Sequence, residues 1–277
     1  MQNAQPQAQP QAQAQPQRQP QRPDHRGGLV LPHRSIWSLR LPKRRLACGL
    51  LIALAFTLLL ALGEQAIAAA WALQLVWWMQ ALDLPGQFTL PPAGTASLFS
   101  LPVPLIDVHL RDAGMPATAT HGLAAVVLWA LAGWLPDSAK PAAYLLRFAL
   151  LIHAAAILYF LCWPARFPHP LSSHIEGGLR QCWSLMLVTP WLHLCTYYLF
   201  PFAAWQRVAL TAMTLLFLFV LAPLQFASHA ALVYLLGAIM LPLLFLLFGV
   251  MVPLLGLVAL YGWGMSWHDP ARFAQEG

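Results

Sequence analysis

Apolar and polar positions along this chain fall in long blocks rather than in the short alternations of a water-soluble fold. From Gln181 to His268 there are 88 residues and one formal charge, Arg207. The rest is mostly Leu, Phe, Val, Ala, Trp and Met, punctuated by Pro190, Pro201, Pro223, Pro242 and Pro253. About 20 consecutive apolar residues cross the hydrocarbon core of a bilayer. The block therefore predicts several crossings, and lipid is the solvent they are written for.

Taken in order, the pattern predicts a helix over Arg45–Leu82, about 56 Å long at 1.5 Å per residue. Ala66-Ile67-Ala68 also matches a signal-peptidase site, and Gly63-Glu64-Gln65 also reads as a hairpin turn. The 45-residue basic region ahead and the scarcity of turn residues favour one helix. The second crossing is His121–Leu135, the third Tyr144–Trp163, the fourth Cys182–Phe200 and the fifth Trp205–Ala222. The last, Ala230–Trp263, holds two prolines and is read as one kinked helix, giving six crossings with both termini inside. Splitting it gives seven. The fold class is all-α, a polytopic integral membrane helical bundle. Residues 43–267 form it, with outer loops 83–120 and 164–181 making a small extracytoplasmic cap. Within the first loop, Val103–Leu110 reads as a strand or a short surface helix. Residues 268–277 are a short C-terminal tail.

Composition sharpens this picture. The chain has 277 residues, 59% hydrophobic and 9% charged, against about 25% charged in soluble domains. Residues 1–42 are a disordered Gln/Pro-rich tail ending in a basic, weakly amphipathic segment. Eight of the 15 Lys and Arg precede the first apolar run, which is the positive-inside pattern. The net charge of +6 is thereby accounted for without a nucleic-acid partner. The expected location is a bacterial inner membrane, N-terminus cytoplasmic, with the lipid bilayer and other membrane subunits as partners. The four Cys form no C-x-x-C pair. Cys162 and Cys182 flank one loop, so a disulfide between them is weighed against buried free thiols, which the apolar setting favours.

Three constellations carry candidate chemistry. His169, His174 and Glu176 share a predicted outer face with His109 and His121. Imidazoles with a carboxylate suit Zn²⁺, although the spacing matches neither H-E-x-x-H nor a finger. Glu176 and Arg180 stand four apart, an ordinary helix-stabilising pair. That spacing also opens an intramembrane-protease signature, which fails here because Ile175 replaces the doubled acid. His153 and His193 lie in neighbouring crossings and suit axial ligation of haem b. Finally, Cys182 beside Arg180 and His174 resembles in residue type, but not in order, the Cys–Arg–His set of the exosortase family of membrane transpeptidases. That resemblance implies a nucleophilic Cys182. The spans lack mid-membrane acids and polar stripes, which argues against ion-coupled transport and channels. The functional expectation is a non-catalytic accessory subunit of a membrane complex, for envelope assembly, secretion or polymer export. The alternative is an enzyme at the outer face, a metal-assisted hydrolase or a Cys-based transpeptidase, and a haem-b-binding membrane anchor is third. The cofactor, if there is one, is not fixed.

Overall fold

The computed structural model describes residues 43–89, 105–108, 115–163, 167, 170–199 and 202–267. The N-terminal tail and the C-terminal residues 268–277 lie outside this set, as do His109 and His169. Among the described residues the fold is all-α apart from one antiparallel strand pair. Helix α1 runs Lys43–Ala81. Strands β1 (Gly86–Thr89) and β2 (Leu105–Val108) pair antiparallel, Gly86 opposite Val108. Then come α2 (Met115–Gly133), a single 3-10 turn at Asp137–Ala139, and α3 (Lys140–Cys162). Helices α4 (Leu171–Leu199) and α5 (Ala204–Leu236) follow. After α5 the path breaks into a 3-10 turn at Ala238–Met240, the short α6 (Leu241–Leu243), a π-helical stretch at Leu244–Gly249, and α7 (Met251–Met265).

Among the described residues, five helical segments are long and apolar enough to cross a membrane: Lys43–Ala81, Met115–Gly133, Asp137–Cys162, Ala204–Leu236 and Ala238–Met265. Their outward faces carry Leu51, Leu58, Leu62, Leu123, Leu151, Leu216 and Leu255 in the open. In water that array costs about 25 cal/mol per Å², whereas in lipid it costs nothing. α4 is different. It is long, but Glu176, Arg180, Pro190 and two His dilute it, and it packs against both α1 and α5. Its buried positions Leu171, Ile175, Leu179, Cys182 and Met186 recur every three or four residues, a stripe rather than an all-round apolar surface.

Two predicted boundaries are corrected. Residues 171–181, expected in an outer loop, are the first three turns of α4. Leu171, Ile175 and Leu179 are buried in one cluster with Ile106 and Val108 of β2 and Trp71 and Leu75 of α1. Burying that stripe outweighs the polar residues between. The predicted gap between Ala222 and Ala230 is also continuous α5, and the chain breaks at Gly237 instead. Gly237 takes φ 88°, which favours a residue without Cβ.

Pro223 stands inside α5 because its neighbours compensate it. A proline has no N–H, so the carbonyl four residues earlier loses its helical donor. Here that carbonyl belongs to Phe219, and the indole Nε1–H of Trp71 donates to it at 2.9 Å. Pro253 frees the carbonyl of Gly249 in the same way. Gln225 Nε2 donates to it at 2.9 Å and to the Phe248 carbonyl at 2.5 Å. Lipid offers no substitute donor, so a side chain from another helix must.

Candidate functional site

Four of the five described histidines are drawn into two pairs. On α2, His121 Nδ1 is 3.1 Å from His153 Nε2 on α3, and its Nε2 is 2.8 Å from the Leu236 carbonyl at the end of α5. A carbonyl only accepts, so His121 Nε2 carries a proton. With both rings neutral, His153 Nε2–H then donates to His121 Nδ1. This leaves His153 Nδ1 as a bare lone pair, and that atom is buried without a partner. The pair closes the end of α5, supplying a donor to a carbonyl that the break at Gly237 leaves without one.

The second pair joins α4 to α5. His174 Nε2 lies 3.1 Å from His229 Nδ1, with the rings stacked at 5.3 Å and 23°. Phe226 and Phe245 complete an aromatic wall round His174. Phe226 reaches this place because Gly178 has no side chain, since a Cβ there would stand 2.0 Å from its ring. His229, 4% exposed, is not among the candidates named from sequence. Its signal was present, a His inside a run of some 30 apolar residues, which calls for a partner.

A third network lies toward the end of the bundle that carries Lys43-Arg44-Arg45. His193 Nδ1 is 3.1 Å from Thr211 Oγ1 and 3.2 Å from the Tyr197 hydroxyl. That hydroxyl donates to the Arg207 carbonyl at 2.8 Å. His193 Nε2 is buried without a partner.

The sequence-predicted residues thus separate. His153 and His193 belong to different networks, each already hydrogen-bonded, rather than facing each other across a haem. Of the proposed zinc set, His121 joins His153 and His174 joins His229, while His109 and His169 lie outside the described residues. Among the described residues, no three His, Cys, Asp or Glu side chains gather closely enough to hold a metal ion. Glu176 and Arg180 form the expected i, i+4 ion pair at 2.6 Å, on the half-exposed side of α4. Cys182, 3% exposed, turns the other way, into the core with Trp183 and Met186. Arg180 and Cys182 therefore diverge, one at the half-exposed side of α4 and the other in the core. Both Cys162 and Cys182 are free thiols.

Compared with known proteins, the chain matches no family model, no curated protein and no solved structure.

Proposed function

We propose that this protein is a non-catalytic, multi-pass subunit or accessory of an inner-membrane complex, of the kind that serves envelope assembly, secretion or polymer export. In this reading α4 is counted with the five lipid-grade helices, giving six crossings with the N-terminus cytoplasmic. The bilayer and other membrane subunits are its partners. One observation carries it. Three polar side chains inside the bundle hold helices together: Trp71 on the carbonyl freed by Pro223, Gln225 on that freed by Pro253, and His121 on the end of α5. A scaffold needs such cross-bracing, whereas a reaction centre needs convergent groups left free for a substrate. The Gln/Pro-rich tail adds a segment suited to docking.

The test is single alanine substitution at Cys182, His174 and Glu176, scored for folded protein and for assembly into a larger particle by native gel. Each variant is expected to assemble as the wild type does. A variant that stays folded and assembled yet loses the cellular phenotype replaces this reading with the enzyme.

The second reading, a metal-assisted enzyme at the outer face, is favoured by the 3.1 Å separation of His174 and His229. Two ligands of a tetrahedral ion, each about 2.0 Å from it, stand roughly 3.3 Å apart, near that value. Stoichiometric Zn in the purified protein, lost in His229→Ala, would establish it.

A further inference from the structure

Arg207 is a buried cation without a counter-ion among the described residues. It is 4% exposed. Nε donates to the Phe202 carbonyl at 3.1 Å and Nη1 to the Arg45 carbonyl at 3.3 Å. The guanidinium also sits 6.0 Å from the centre of the Tyr197 ring. Among the described residues the ion pairs are Lys140 with Asp137 and Arg180 with Glu176, and neither includes Arg207. Carbonyl dipoles and a ring face offset part of the desolvation of a charge, but a buried charge is ordinarily matched by an opposite one. Neither of the two hydrogen bonds that Arg207 makes among the described residues uses the third donor nitrogen, Nη2.

Two further observations say what lies around the guanidinium. Lys43 and Arg44 stand exposed at the start of α1, in the same turn whose Arg45 carbonyl Arg207 holds. No acid lies in that turn. Beside Arg207, Trp205 stacks on Trp267 with ring centres 6.2 Å apart, and Trp263 meets Trp267 at 4.8 Å. Trp205 and Trp263 are both largely exposed. Exposed Trp clusters of this kind lie at the headgroup level of a bilayer. Gln206 Nε2 ties the group together by donating to the Trp267 carbonyl at 3.0 Å. The ends of α1, α5 and α7 thus meet round a guanidinium at the depth where phosphate is found.

We infer that Arg207, beside the basic turn of α1, binds a phosphate-class anion, either the headgroup of an anionic phospholipid or free phosphate. A guanidinium fork matches phosphate oxygens, and basic recesses between helices are a known mode of headgroup recognition. The inference does not depend on whether the protein is a scaffold or an enzyme.

The experiment uses the full chain in nanodiscs of phosphatidylcholine, alone or with phosphatidylglycerol, and in phosphatidylcholine discs with inorganic phosphate. Thermal unfolding and native mass spectrometry of retained lipid are read together. The wild type is expected to retain phosphatidylglycerol about tenfold over phosphatidylcholine, the equivalent of one charge-assisted contact. Arg207→Gln should abolish that preference, while Arg180→Gln, at the other end of α4, should leave it. A response to inorganic phosphate in phosphatidylcholine discs, lost in Arg207→Gln, assigns the anion to a soluble source. If Arg207→Gln does not fold, the double variant Lys43→Gln/Arg44→Gln decides, since a buried site keeps most of its preference without the surface charges. No wild-type preference and no phosphate response would overturn the inference. So would a preference that survives Arg207→Gln, or one that vanishes with Lys43 and Arg44 alone.

Discussion

The bond between Trp71 and Phe219 offers a direct test of how this bundle tolerates its prolines. Trp71 is fully buried, and its indole N–H serves a carbonyl that Pro223 has deprived of its helical donor. Trp71→Phe removes the donor and part of the ring. Hydrogen bonds between membrane helices average about 0.6 kcal/mol and reach about 1.7. An acceptor left bare in a dry interior costs about 1–3 kcal/mol. We take about 1 kcal/mol for this bond, and about 1–2 kcal/mol more for the volume lost from a packed core. Trp71→Phe alone should therefore cost about 2–3 kcal/mol. In a Pro223→Ala background, residue 223 regains an N–H aimed at the Phe219 carbonyl. Trp71→Phe should then cost only its packing share, about 1–2 kcal/mol. The packing share is common to both backgrounds and cancels, so the double-mutant cycle isolates the bond. The measurement is reversible unfolding in mixed micelles for the four proteins of the cycle. A coupling of about 1 kcal/mol is expected. A value below about 0.3 kcal/mol, the noise of independent sites, would refute the account of Trp71 as the donor that accommodates Pro223.

Two other outcomes follow from packing and exposure. Gly178→Ala places a Cβ about where the Phe226 ring now lies and should cost about 1–3 kcal/mol by overpacking, whereas Gly177→Ala meets nothing within 4 Å and should be close to neutral, as thermal melts of the two would show. A maleimide should modify Cys162, exposed at the end of α3, and spare Cys182 until the protein is denatured; early labelling of Cys182 would mean that α4 does not pack as described.

Much of the architecture was legible in the residues. The length of α1 and the hairpin of α2 with α3 follow from block lengths of apolar sequence and from the turn at Asp137–Lys140. The Glu176–Arg180 pair follows from spacing alone. The errors share one cause. Residues 171–181 read as loop because polar side chains and two glycines interrupt them, although Leu171, Ile175 and Leu179 form a stripe. That stripe becomes decisive only when β2 and α1 are there to cover it. The span from Ala222 to Ala230 reads as a gap because Pro223, Ser228 and His229 discourage a helix locally. Trp71, some 150 residues earlier, and His174 supply what those residues need.

By itself the sequence determined the solvent: a chain with so little charge over such long runs has only lipid to dissolve in, because each ionised group in hydrocarbon costs several kcal/mol. It also determined that the crossings are helices, since each backbone group must find its partner within its own segment. The tertiary structure alone decided which polar residues meet. Hydrogen-bond partners such as His121 with Leu236, Gln225 with Gly249 and Arg207 with Arg45 lie between 24 and 162 residues apart in sequence. Local pattern carries no information about such pairs, because their separation is set by how helices cross and not by the period of any one of them.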